Sequence, residues 1–193
     1  VATAAVAQGL VYIPAGRDPE QGSGPGSLWC IDPAASGADP EARIRWRFGG
    51  KSATPPPQGA SGAGRAAGTF ARSIATAAIA NGIVYAADID GFVVALDAAT
   101  GRELWRHDML AAVWASPLVA AGRVYVSDTD GEVAVLEAGG KRVVLSEIAM
   151  DAPIYRPPAV SDGVLYLMTA GRLYALGGRS SSSSITLPSG SRP

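Results

Sequence analysis

The strongest constraint in this chain is that it repeats itself. The stretch "ATAAVAQGLVY" at 2–12 matches "ATAAIANGIVY" at 75–85 in eight of eleven positions, and the other three changes are conservative. Gly9, Gly82, Gly122 and Gly163 each stand three residues before a tyrosine, namely Tyr12, Tyr85, Tyr125 and Tyr166. Tyr85 to Tyr125 is 40 residues, Tyr125 to Tyr166 is 41, and Gly91, Gly131 and Gly171 keep a spacing of 40. A period of this length means a series of supersecondary units, each too small to bury its own apolar face and each completed by its neighbour.

Within a unit the pattern is that of short strands. The third unit reads "WASPLVA", "VYVSDT", "EVAVLEA" and "VVLSEI", separated by "AGR", "DG" and "GGK". Val, Ile, Leu and Tyr fill the strands and glycine-centred turns divide them, while nothing carries a helical period. Four antiparallel strands per unit of about 40 residues predict an all-β chain built as a β-propeller. About four blades are expected, as a partial ring or open arc, at approximately 1–48, 71–108, 112–150 and 153–178. The Gly/Pro/Ala-rich segment 49–70 reads as a linker, the insertion 17–25 as a lengthened loop in the first unit, and 180–193 as a disordered Ser-rich tail after a propeller at 1–179. The fourth unit ends at "LYALGG" without a clear fourth strand.

Charge excludes some partners. Formal net charge is −1, so no basic field marks a nucleic-acid or anionic-membrane binder. No uncharged stretch is long and unbroken enough for a transmembrane segment. Cys30 is the single cysteine, which excludes an internal disulfide and a Cys-rich metal site.

The stretch "ALDAATGRELW" at 95–105 places an acid, a hydroxyl and an aromatic close together, with His107, the single histidine, two residues on. Asp97 and Thr100 flank a tight turn where a carboxylate can accept backbone and hydroxyl hydrogen bonds, and Gly101 permits a turn conformation closed to most residues. Trp105 offers a flat face for the next unit and an indole N–H for a neighbouring carbonyl. Ala95, Asp97, Thr100, Gly101 and Trp105 resemble the tryptophan-docking motif of quinoprotein-type propellers, the PQQ-binding-like repeat family. The resemblance extends over all four units and is similar to the propellers of the β-barrel-assembly lipoprotein type. In that family the tryptophan packs between blades. The first unit carries the motif as Cys30, Asp32, Gly37 and Trp46; the third has Glu137 for the acid and no tryptophan.

Other groups have plain readings. His107, with no paired nucleophile, reads as an exposed residue just after an outer strand. Cys30 reads as a buried structural thiol. "DIDG" at 88–91 and "DTDG" at 128–131 look like fragments of calcium loops, but without a third acidic ligand or a distal Glu they read as hairpin turns, so no metal site is assigned.

Propeller topology directs attention elsewhere. The loop entering the first strand of each blade and the loop joining strands two and three lie on one face. That rule groups Arg72, Ser73, Trp114, Ala115, Ser116, Tyr155 and Arg156 with Asp88, Asp90, Asp128 and Asp130 around a channel mouth. The expected ligand-binding residues are therefore Arg72, Ser73, Asp88, Trp114, Ser116, Asp128, Tyr155 and Arg156, with no catalytic residue assigned.

Two classes of function follow. One is a non-catalytic scaffold that binds a protein, peptide or glycan at the mouth. The other, implied by the resemblance, is part of a quinoprotein dehydrogenase oxidising alcohols or sugars with pyrroloquinoline quinone and calcium. That second class implies vicinal cysteines, a tryptophan floor, a Glu/Asn calcium site and an Asp base. One cysteine and the lone turn residue Asn81 favour binding. Because the family usually uses seven or eight blades, the chain is expected to be the C-terminal part of a longer protein, with N-terminal blades of the same protein as partners. The resemblance also implies a bacterial, periplasmic or otherwise extracytoplasmic setting.

Overall fold

The computed structural model describes residues 2–16, 25–36, 39–50 and 67–177. The core of the insertion at 17–24, Gly37, the linker core at 51–66 and the tail lie outside the described residues. The described chain is all-β apart from one 3-10 turn at Pro40–Arg43. The first sheet consists of β1 (Ala5–Ala7), β2 (Leu10–Ala15), β3 (Ser27–Ile31) and β4 (Ile44–Gly49). The second has β5 (Ala78–Ala80), β6 (Ile83–Ala87), β7 (Phe92–Asp97) and β8 (Glu103–Asp108). The third has β9 (Leu118–Ala120), β10 (Arg123–Ser127), β11 (Glu132–Glu137) and β12 (Val144–Ala149). The fourth has three strands among the described residues, β13 (Ala159–Ser161), β14 (Val164–Met168) and β15 (Leu173–Gly177).

Each sheet is a simple antiparallel meander, pairing its strands in chain order. The turns explain why. Gln8–Gly9, Asn81–Gly82, Ala121–Gly122 and Asp162–Gly163 all carry positive φ at both residues, the geometry of the two-residue hairpin that matches strand twist. Strand β9 starts only at Leu118, after Pro117, and β13 starts after Pro157 and Pro158. Proline has no N–H to give the ladder, which suits these two strand starts, although β1 and β5 are equally short without it.

Successive sheets face one another and bury three cores. Tyr12, Leu28, Cys30, Trp46 and Phe48 of the first sheet meet Val84, Val94 and Leu96 of the second. Tyr85, Val93, Ala95 and Trp105 meet Val124, Val126 and Leu136 of the third. Val133 and Val135 then meet Ile154 and Leu167 of the fourth. The strand period of two turns alternate residues to opposite neighbours, so the central strands of sheets two and three are buried on both faces, whereas β12 is exposed along its length. The arrangement is an open arc: the first sheet keeps Val11, Ile13, Trp29 and Ile31 only half-buried, and the fourth exposes Met168 and Leu173.

Candidate functional site

The repeated turn is a network of short bonds. Asp97 Oδ1 accepts hydrogen bonds from Ala99 N at 3.1 Å, Thr100 N at 2.9 Å and Thr100 Oγ1 at 2.8 Å. The Thr100 hydroxyl, foremost, holds the Asp97 carboxyl below the usual carboxylate range. Gly101 sits at φ +71, and a Cβ there would lie 2.6 Å from the indole of Trp46 in the preceding sheet. That indole donates from Nε1 to Ala98 O at 2.9 Å, across sheets, and Tyr12 OH donates to the same oxygen at 3.4 Å. Burial pushes the Tyr12 phenol up to about 12. Trp105 repeats the gesture one sheet on, donating to Gly139 O at 2.8 Å, with Tyr85 tilted against it at 5.8 Å. In the first unit Asp32 accepts from Ala34 N and pairs with Arg45 at 2.5 Å, which depresses its pKa. Cys30 is fully buried opposite Trp46, and burial raises its thiol. Ala95 is buried opposite Trp105.

The third sheet departs from a linear reading of its sequence. The turn between β11 and β12 is one residue longer than that between β7 and β8, since Leu136 pairs Val144 whereas Leu96 pairs Glu103. Ser146, opposite Val135, therefore holds the register place of Trp105 and Trp46, and it is exposed. His107 is also placed differently from its sequence reading. It lies within β8, opposite Val93, and is 5% exposed. The register places it where the first sheet has Phe48 and the third Ile148, a position that faces the next sheet. Burial, then the Arg142 guanidinium 3.3 Å from its Nδ1, lowers its pKa.

In the second, third and fourth sheets the turn joining strands two and three is bonded to the entry of its own blade. Ile89 N donates to Arg72 O at 3.0 Å, Thr129 N to Ala112 O at 3.0 Å and Ala170 N to Pro153 O at 2.8 Å. The eight residues expected at the mouth differ in exposure: three are buried, Arg72 and Ser116 are half-buried, and Trp114, Tyr155 and Arg156 are exposed. Ser73, Asp88 and Asp128 are buried. Ser73 Oγ donates to Ala87 O at 2.6 Å, while Asp88 accepts from Asp90 N, Phe92 N and Ala71 N, so these side chains brace their own turns. Trp114 and Tyr155 are exposed by 44% and 47%, and their rings tilt together at 5.5 Å across adjacent blade entries. Tyr155 and Arg156 line a cleft of about 440 Å³ with Met168, Thr169 and Ala170. Arg72 is half-buried beside the second entry.

Ser116 Oγ accepts from Thr76 N at 2.9 Å, and Thr76 Oγ1 in turn accepts from Thr3 N at 3.1 Å. This hydroxyl ladder ties three inner edges together, so the Ser116 hydroxyl, expected at a ligand, is engaged by the neighbouring blade. The ladder's signal lay in the repeat itself, because Thr3, Thr76 and Ser116 hold one repeat position while the fourth unit has Pro157, which carries no hydroxyl.

The cofactor chemistry suggested by the resemblance needs a donor set that these residues do not assemble. Cys30 is inside the core, Asn81 is a hairpin residue, and no His/Cys/Asp/Glu group among the described residues is spaced to hold a metal ion.

Comparison with known proteins places this geometry in a family. A family model described as "Outer membrane protein assembly factor BamB" matches residues 30–182. A search of curated proteins gives no match. Among solved structures, BamB from Moraxella catarrhalis is similar at 17% identity and a TM-score of 0.59, covering 90% of this chain and 41% of that one. The computationally designed Ika8 protein is similar at 14% identity and a TM-score of 0.60, with coverage of 90% and 44%. The designed Ika4 protein gives 14% and 0.59, with coverage of 90% and 89%. These likenesses show the fold, and this chain spans less than half the length of the BamB and Ika8 chains it matches. With the family model covering most of its length, the chain belongs to the PQQ-like propeller family described as outer membrane protein assembly factor BamB.

Proposed function

We propose that this propeller is a non-catalytic binding module that takes a protein, peptide or glycan at the mouth where the blade entries converge. The observation that carries the reading is the Trp114–Tyr155 pair, two exposed aromatic rings from adjacent entries beside the cleft of Arg156. Aromatic and arginine side chains supply large contact area with a polar handle, the composition of binding hot spots. Tryptophans 46 and 105 serve as inter-blade latches in this reading, which leaves the mouth free to vary. The family description supports a role in assembling outer-membrane proteins, with a protein ligand, in the extracytoplasmic space of a bacterium. Further blades of the same protein cover the open faces of the first and fourth sheets in the same reading.

A photo-crosslinking residue tests the proposal when placed at Tyr155 and, as a control, at Leu145 on the outer strand β12. Specific adducts formed in the producing bacterium from Tyr155 and not from Leu145 support a mouth ligand. Equal yields from both positions, or alcohol oxidation after addition of pyrroloquinoline quinone and calcium, overturn it.

A further inference from the structure

We propose that the cleft between the second and third sheets receives a basic side chain, arginine in particular, presented by a protein partner. The cleft measures about 280 Å³ and is lined on its polar side by His107, Asp108, Asp128, Asp130, Glu132 and Glu147. Five of these six are carboxylic acids, brought from the end of β8, the β10–β11 turn with the start of β11, and β12.

Asp128 is the residue that distinguishes this cleft from a merely acidic surface. It is 1% exposed and lines the cleft, and its Oδ1 accepts from Asp130 N at 3.0 Å and Glu132 N at 2.9 Å. Its Oδ2 is buried and has no hydrogen-bond partner. At the same repeat position in the second sheet, the second oxygen of Asp88 accepts from Ala71 N at 2.9 Å. A buried acceptor without a donor is costly, and a donor arriving from outside the chain removes that cost. Burial raises the Asp128 pKa, the direction expected of a carboxylate that lacks a cation.

The donor's chemistry follows from the shape. The acids are spread around a cleft, and no group of three among the described residues is spaced to hold a metal ion. A guanidinium carries five N–H groups in a planar fork and can serve several separated oxygens at once. Met109, Leu110 and Ala134 also line the cleft and suit the methylene stem of a long basic side chain. The Arg142 guanidinium meets this region at the imidazole Nδ1 of His107, and Glu147 lies 3.9 Å from the other ring nitrogen. Trp114, Tyr155 and Arg156 do not line this cleft, so the proposal does not depend on their role.

The test is titration of the full-length protein with acetyl-Gly-Arg-Gly-amide and its citrulline counterpart, followed by amide chemical shifts of Asp130 and Glu132. The arginine peptide should shift both signals and the citrulline peptide should not. Asp128→Asn keeps the Oδ1 acceptor and should weaken binding about tenfold or more. Glu147→Gln, on an exposed outer-strand residue, should weaken it severalfold and needs no folding control beyond a thermal melt; if Asp128→Asn fails to fold, Glu147→Gln and Asp130→Asn decide. Trp114→Ala should leave the arginine response unchanged, which separates this site from the mouth. Equal response to citrulline, wild-type affinity in the acid variants, no response at all, or the same shifts from calcium or magnesium alone would overturn the proposal.

Discussion

The indole of Trp46 occupies the space that a side chain at Gly101 would need: a Cβ there would lie 2.6 Å from the ring. The two residues belong to adjacent sheets and are held together by the Trp46 Nε1 bond to Ala98 O. Glycine is thus required twice over, for its φ of +71 and for the absence of a side chain. Gly101→Ala should therefore cost well over the ~1 kcal/mol of a simple left-handed glycine replacement. Gly122→Ala is the control, since Gly122 has positive φ with nothing within 4 Å. Urea unfolding of both variants checks the difference, and equal losses would contradict it.

Ala121 sits at φ +48 in the hairpin between β9 and β10, where the second sheet has Asn81 at φ +51. Asparagine tolerates this region better than alanine. Ala121→Asn should raise stability by about 0.5–1 kcal/mol, read as a higher urea midpoint at unchanged slope.

His107 makes stability depend on pH. Burial, reinforced by Arg142, holds its folded pKa below the ordinary imidazole value, against the opposing pull of Glu147 and Asp108. The unfolded chain then binds a proton at a pH where the folded chain does not, so stability is full above the ordinary imidazole range and falls as pH drops through it. His107→Phe, which copies Phe48 at the same register position, should flatten the melting-temperature profile between pH 7 and 5. A profile as steep as wild type would show that other groups carry the dependence.

Asp97 titrates in the opposite sense to a desolvated acid. Its carboxylate is stabilised by Thr100 and two backbone amides, so its contribution is present above the ordinary carboxylate range and is lost as pH falls through the depressed folded value. Thr100→Val should raise the Asp97 pKa, measurable by carboxyl NMR titration. An unchanged value would mean the hydroxyl bond is absent in solution.

Much of the architecture was legible because it is written locally. Tyr12, Tyr85, Tyr125 and Tyr166 mark the period, and Gly-containing pairs with positive φ mark the hairpins. The turn chemistry of Asp97, Thr100 and Gly101 needs only neighbours in sequence. What escaped depends on partners distant in sequence. Asp88 and Asp128 read as hairpin acids available to a ligand, yet both are buried and accept from the amides of their own turns. His107 follows Trp105 among charged residues and reads as surface, but alternation in β8 turns it to the third sheet. A one-residue lengthening of the β11–β12 turn moved the tryptophan position from Leu145 to Ser146, which counting along the chain does not reveal. At the mouth, the pairing of Trp114 with Tyr155 is a contact between separate units and needed the packed blades to show it.

Trp46 and Trp105 bond across sheets, and in the proposed function Trp114 is left for a ligand. Side-by-side equilibrium unfolding of Trp46→Ala and Trp114→Ala tests this assignment most directly. Trp46 is 9% exposed and bonded across sheets, so its removal should cost about 3–5 kcal/mol. Trp114→Ala should unfold within about 1 kcal/mol of wild type, as expected of a residue 44% exposed. A large loss from Trp114→Ala with little from Trp46→Ala would contradict the account.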